Sequence, residues 1–464
     1  MSLIPPDILT TMLKRALSKG GDYADVFVER RGGLSIYLEN DRIEKISSGV
    51  DSGVGVRVIH GDRTAYAYTN DLSPASLFEV SESVSKAVSD KTSNDRVINL
   101  MKARPSVTFQ IKERPSDVEI TRKIELINQT NRAVRGLSHR IRQSMINYRE
   151  TYQDVCIGTS DGTLAEDNRV YTLAIVHVVA SEGDVIQTGY EPVGGLVGFE
   201  LFDEHPLQEV GLRVARRALM MLRAHRAPGG RMPVVISSEA GGTMIHEAIG
   251  HGLEADLVQQ GLSVYAGRVG ERIASPLITI IDDSTLLNKR GSFGFDDEGS
   301  DSQRTILVEK GILRGYMYDR FTAMKEGLRS TGNGRRESYR HKPIPRMTNT
   351  FIAPGDHSPS EIIRTVDKGL FVKKMGGGQV NTVTGEFVFE VSEGYLIENG
   401  EVGEAVRGAT LIGNGPEVLR SIDMVGDDLG FSIGTCGKDG QGVPVSDAMP
   451  TVRLSEMVVG GEVR

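Results

Sequence analysis

His246 and His251 stand five residues apart in the run Ile245-His246-Glu247-Ala248-Ile249-Gly250-His251, and that interval constrains the backbone between them. On an ideal α-helix each residue turns by about 100°, so a five-residue step leaves the two imidazoles about 140° apart. The familiar metal-binding pair, four apart, diverges by only about 40°. For both rings to face one cation, the helix must leave α geometry. A π-type turn does this, because its i→i+5 bonding returns residues five apart to one side. Gly250, without a Cβ, is a natural place for such a distortion. The spacing therefore predicts a π-bulge or kink between His246 and His251. Two imidazoles beside a carboxylate are a donor set able to hold Zn²⁺ and activate a water, with Glu247 placed to take its proton. The ordinary alternative is a regular helix with one histidine half-buried, one exposed, and Glu247 solvated.

The surroundings favour a built site. Residues 232–237 read as a buried strand, and Ser238-Glu239-Ala240-Gly241-Gly242 turns the chain into the histidine segment. Only two cysteines occur, Cys156 and Cys436. No secretory signal is evident, so reduced thiols are expected rather than a disulfide. Cys156 alternates as in a core strand. Cys436 lies between glycines in Gly434-Thr435-Cys436-Gly437, where a thiolate could complete a His₂Cys set and leave the fourth position open. A buried structural thiol is an equal reading from the residues alone. Glu254 and Asp256, three and five residues after His251, could each bind the metal instead or orient a histidine from behind it.

The 464 residues suggest two or three domains. A hydrophobic fraction of 39% and a charged fraction of 25% are those of an ordinary soluble protein. The net charge of −8 argues against broad binding to a nucleic-acid backbone. No apolar run approaches the roughly 18 residues of a membrane span, and the expected location is cytoplasmic. An amphipathic helix over 5–19 precedes short strands at 24–30, 33–39, 42–47, 53–60 and 64–69, with turns at Arg31-Gly32, Asn40-Asp41 and Gly61-Asp62. Helices near 74–88, 117–134 and 207–222 flank a second strand set from 139 to 180. Ala227-Pro228-Gly229-Gly230-Arg231 marks the domain boundary, dividing 1–226, with subregions 1–110 and 111–226, from 229–464. Gly376-Gly377-Gly378 reads as a turn, and 387–390 and 394–397 as adjacent strands joined to the next by a hairpin at 398–401. The expected class is α+β: an N-terminal region of antiparallel strands and helices, then a strand-rich, barrel-like domain carrying the metal-binding helix. Arg335 and Arg336, with Arg340-His341-Lys342, form a basic cluster that is either a solvated loop or a carboxylate contact.

Further segments carry a resemblance: Asp51-Ser52-Gly53-Val54-Gly55-Val56-Arg57, Gly294-Phe295-Asp296-Asp297-Glu298-Gly299, Thr331-Gly332-Asn333-Gly334-Arg335-Arg336, Pro345-Arg346-Met347-Thr348-Asn349-Thr350 and Gly434-Thr435-Cys436-Gly437-Lys438-Asp439-Gly440-Gln441. With the histidine motif they resemble the TldD/PmbA family of zinc metallopeptidases, once described as modulators of DNA gyrase. The likeness spans most of the chain. The HExxxH motif is that of the TldD-type branch, whereas PmbA/TldE-type partners lack it. The resemblance implies a peptidase acting on flexible peptides or unstructured protein segments through a metal-activated water. Zn²⁺ would be held by His246, His251 and Cys436, Glu247 would be the catalytic base, and Arg335 is a candidate substrate contact. It also implies a homodimer, or a heterodimer with a motif-lacking relative, and an extended substrate held by strand addition. Two other classes stay open: a non-catalytic metal-binding subunit or scaffold, and a small-molecule zinc amidase.

Overall fold

The computed structural model describes residues 4–88 and 97–462. Its N-terminal half is built on one twisted sheet of β1 (Tyr23–Glu39), β2 (Arg42–His60), β3 (Arg63–Thr69), β4 (Met101–Lys102), β5 (Ile141–Thr159), β6 (Thr163–Glu182) and β7 (Val185–Gly195). The order is β3-β2-β1-β5-β6, with β4 and β7 both along the far side of β6. Asn40 and Asp41 both take positive φ, 47° and 70°, as a two-residue hairpin between β1 and β2 requires.

One expected turn is absent. Arg31-Gly32 lies inside an unbroken β1, which pairs residue by residue with β2 and β5. The glycines there serve close approach, not reversal: a Cβ on Gly32 would lie 2.2 Å from the Tyr152 hydroxyl, and one on Gly33 would lie 2.2 Å from the Glu150 carbonyl oxygen.

Alternation along these long strands decides what covers each face. On one face Val26, Val28, Val54 and Val56 pack under the helices Pro6–Ala16 and Pro74–Ala87. Farther along, Ile36, Ile146 and Val176 pack under Ile120–Gly136 and Leu207–Met221. The opposite face presents Phe27, Val155 and Ile157 to Phe295 and Tyr339 of the C-terminal half.

The C-terminal half holds a closed five-stranded barrel. Lys368–Val380, Gly230–Ile236, Val452–Gly460, Thr410–Asn414 and Glu386–Glu398 pair in that order, and the last returns to the first. Two expectations are corrected here. Gly376 to Gly378 do not turn but lie within Lys368–Val380, where a Cβ on Gly378 would meet the Phe389 ring at 1.9 Å. Residues 387–390 and 394–397 are one continuous strand, not two. The hairpin at Asn399-Gly400 is present. A second sheet runs Ile312–Leu313, Arg304–Glu309, Ile280–Asp283, Asn349–Ile352, Gln441–Met449 and, at its edge, Gly430–Lys438.

The halves are joined by buried charge. Arg57 of β2 lies 2.5 Å from Asp25 of β1 and 2.6 Å from Glu298 of the C-terminal half, and all three side chains are almost wholly buried. Removing one partner of a buried pair leaves uncompensated charge in a poorly solvated place. Arg57→Met is therefore expected to destabilise the protein by about 3–5 kcal/mol, read as a lowered denaturation midpoint. An unchanged midpoint would show that this junction contributes nothing to stability.

Candidate metal centre

The buried strand Gly230–Ile236 delivers the chain to a short 3₁₀ turn, Ser238–Ala240, whose first turn is capped by the Ser237 hydroxyl accepting from the Glu239 N–H at 3.2 Å. Gly241 then takes φ +72°, a left-handed value that favours glycine. One α turn, Thr243–Ile245, leads into a π-helical turn over His246–Gly250, closed by the His251 N–H donating to the His246 carbonyl. This is the distortion the five-residue spacing requires. Gly250, the expected place for the distortion, is the last residue of this π turn. Its own backbone is right-handed helical, φ −53° and ψ −57°, and its missing Cβ makes room for Met347, whose sulfur would lie 2.1 Å away.

The turn sets the two imidazoles edge to face, ring centres 4.9 Å apart. Cys436, on the edge strand Gly430–Lys438, places its sulfur 3.2 Å from His246 Nε2 and 3.5 Å from His251 Nε2. The three donor atoms all lie within 4.8 Å of one another. Tetrahedral zinc bonds of about 2.0–2.3 Å separate nitrogen and sulfur donors by roughly 3.5 Å, so the trio fits such an ion.

Each ring is fixed from behind. His246 Nδ1 lies 2.7 Å from Asp447 Oδ1, and His251 Nδ1 lies 3.0 Å from Glu254 Oε2. Glu254 therefore stands behind a histidine and outside the donor trio. Asp256 is farther back, accepting from Lys438 Nζ at 2.7 Å, and the same ammonium donates to Glu254 at 3.0 Å. Arg346, fully buried, donates to the Cys436 carbonyl and, at 3.2 Å, to that of Gln441, tying the cysteine strand to its neighbour.

Asp447 was not anticipated. Its sequence signal is faint: in Gln441–Met449 the residues on the Cys436 side alternate Val443, Val445, Asp447, and a carboxylate there breaks an apolar pattern.

The charges reinforce one another. Burial opposes ionisation of the Cys436 thiol, yet the two imidazoles bring its pKa down to about 5. Burial likewise opposes protonation of His251, but Glu254 and the thiolate carry it up to about 9, and Asp447 with Cys436 raises His246 in the same sense. Glu254 is pulled to about 2 despite its burial, by Lys438 and His251. Glu247, half-buried, is held above the usual carboxylate range by desolvation, with both imidazoles opposing.

Glu247, His246, Cys436 and Asp447 share a cavity of about 520 Å³, walled on one side by the edge-strand residues Ser432 to Thr435 and on the other by Tyr190 and Pro192 of β7. Arg335 is not on it. That side chain is buried, donating to the Met347 carbonyl at 2.6 Å and the Pro444 carbonyl at 2.7 Å, and it faces a separate cavity.

A buried His-His-Cys trio, with His246 and Cys436 on a cavity that a carboxylate also lines, is a donor arrangement of the metallohydrolase class. Profiles of the PmbA/TldA metallopeptidases match residues 24–90 as domain 1, 113–222 as the central domain and 229–461 as the C-terminal domain. The chain is 39% identical to the metalloprotease TldD homolog of Haemophilus influenzae, over 95% of this chain and 93% of that one. It is 30% identical to the zinc metalloprotease TldD homolog of Saccharolobus solfataricus, over 97% and 99%. The crystal structure of TldE from Thermococcus kodakarensis shares the fold, with a TM-score of 0.77 at 17% identity, covering 98% of this chain and 100% of that one. The chain belongs to the PmbA/TldD metallopeptidase family.

A lowered thiol pKa has a direct readout. In metal-free protein, alkylation of Cys436 by iodoacetamide should persist through neutral pH and fall only as pH drops through about 5, followed by peptide-mapping mass spectrometry. Reactivity appearing only near the ordinary thiol value of 9.0 would contradict the charge arrangement described.

Proposed function

We propose that this chain is a zinc-dependent peptidase acting on flexible peptides or unstructured protein segments, with His246, His251 and Cys436 as ligands and Glu247 as general base. The carrying observation is the donor trio, its two rings held at Nδ1 by Asp447 and Glu254, with His246 and Cys436 on the cavity that Glu247 also lines. Two imidazoles and a thiolate are a zinc donor set, and a relative bears the name zinc metalloprotease. When bound, zinc supplies Lewis acidity, which polarises a carbonyl and acidifies water.

The chain's own groups supply the rest. Asp447 and Glu254 accept from Nδ1 of the two rings, which leaves each Nε2 directed at the metal position. Glu247, its pKa raised by burial, is suited to take a proton from the attacking water and pass it to the departing amine. Gly430–Lys438 is the outermost strand of its sheet. Its free side offers backbone donors and acceptors to an extended chain, a form that folded proteins rarely present and flexible segments adopt readily.

The family likeness, including a TldE-named structure, supports a homodimer or a pairing with a motif-lacking relative. No described helix is long and apolar enough to cross a membrane, which agrees with a cytoplasmic location. The net charge of −8 argues against direct nucleic-acid binding.

The test is to load purified protein with zinc and incubate it with unfolded peptides, alone and with a motif-lacking partner, reading cleavage by mass spectrometry. Glu247→Gln should retain zinc and lose about 10²–10⁴ in rate. Asp447→Asn should weaken zinc binding by about 10–100-fold. Full activity in Glu247→Gln would eliminate the base assignment. Tightly held zinc with no cleavage under either condition would favour a non-catalytic subunit.

A further inference from the structure

A second cavity, of about 350 Å³, lies between the N-terminal sheet and the edge of the metal-bearing sheet. Six arginines line it: Arg31, Arg149, Arg169, Arg290, Arg335 and Arg336. Against them the wall carries two carboxylates, Asp297 and Glu337. Asp297 is already engaged, 2.8 Å from Arg169 and accepting the Arg336 N–H at 2.8 Å. Glu337 accepts the Gly442 N–H at 2.6 Å.

Among the described residues, Arg31, Arg149, Arg290 and Arg335 have no carboxylate partner. Arg335 donates to two carbonyls, Arg290 to the Gly434 carbonyl at 3.2 Å and Arg31 to the Glu337 carbonyl at 3.1 Å. The guanidinium of Arg149, an exposed residue, makes no hydrogen bond or ion pair among the described residues. Carbonyl oxygens satisfy N–H groups but do not neutralise charge. Burial, and then the charges of Arg149, Arg31 and Arg335, push the Arg290 pKa down to about 10, as expected where like charges converge without a counter-ion. In a chain of net charge −8, such a concentration of positive charge is local and specific.

Position supplies the ligand. Thr435, which directly precedes Cys436, lines both this cavity and the metal cavity. Pro444 and Gly442, also on the wall, are the register partners of Thr435 and Gly437 on the neighbouring strand. An extended chain laid along the edge strand near Cys436 would reach this cavity within roughly two or three residues, at about 3.3 Å each. The volume, at the lower end of small-ligand pockets, suits a terminal residue.

We propose that the arginine-lined cavity receives the C-terminal carboxylate of a bound peptide, so that the enzyme prefers to cut a short distance from a free C-terminus. This rests on the peptidase reading above and deepens it.

The experiment uses Glu247→Gln zinc-loaded protein and one fluorescent flexible peptide in two forms, with a free C-terminal carboxylate and as the C-terminal amide. Anisotropy should show the acid binding at least about tenfold more tightly than the amide, the scale of one charge-assisted guanidinium–carboxylate contact. Arg149→Gln, an exposed residue whose loss leaves the fold intact, should bring the acid down toward the amide's affinity. Inorganic phosphate should compete with the acid and not with the amide.

Equal affinity for acid and amide would overturn the proposal, and phosphate binding without acid-over-amide preference would overturn it equally, marking a site for free anions. Because binding is read without turnover, failure here differs from failure of the peptidase reading, which would appear as absent cleavage by the wild-type protein.

Discussion

The hydrogen bond from the His251 amide to the His246 carbonyl, five residues back, is the constraint on which the rest of the site depends. With the α-helical i→i+4 bond in its place, the rings would point about 140° apart and no sulfur could approach both. The π turn costs regular packing, because its wider ring fits less well against neighbours. Met347 offsets this by filling the space beside Gly250, and Tyr265 donates to the Ala248 carbonyl at 3.0 Å inside the turn. The distortion is thus held by tertiary contacts on several sides, the condition under which an uncommon backbone form persists.

Around that turn the structure arranges charge in alternating layers. A thiolate sits between two imidazoles, two carboxylates sit behind the imidazoles, and Lys438 sits behind Glu254. Each layer stabilises the next, which is how a carboxylate as deeply buried as Glu254 remains ionised at about pKa 2. Lys438 has a further consequence. It follows Cys436 by two residues on the same strand, so the ion pairs that anchor Glu254 also fix where the cysteine strand lies relative to the histidine turn. The ring carboxylate and the sulfur are positioned by one element.

How much of this was legible in the sequence follows from the range of each signal. The π turn was legible because it is local: spacing alone demands it. The strands of the first sheet were legible from alternation, but their lengths were not, since Arg31-Gly32 read as a turn when Gly32 marks a close approach to Tyr152 on β5, far away in sequence. Gly378 misled in the same manner, because its partner Phe389 lies across a strand pair. A glycine reports that a side chain is excluded, without saying whether a turn or a neighbour excludes it. Asp447 is 201 residues from the ring it orients and has no local spacing to reveal it. The family resemblance brought Cys436 to the trio where residue-level reasoning left it level with a structural thiol.

Arg335 shows why a charged residue read from sequence needs its partners before it is given a role. Its neighbour Arg336 is consumed by structure, bonded to the Asp297 backbone and near Asp25. Arg335 is also built in, but through carbonyls, so its N–H groups are partly satisfied while its charge is not. Placed beside Arg290, whose guanidinium likewise donates to a carbonyl, it leaves the wall of its cavity cationic. Hydrogen bonding and charge neutralisation are separate requirements, and a wall whose guanidinium groups meet carbonyl oxygens in place of carboxylates is electrostatically incomplete without an anion. The candidate metal centre is the opposite case, since there Lys438 is ion-paired with both Glu254 and Asp256, so charge meets counter-charge and these residues serve as support.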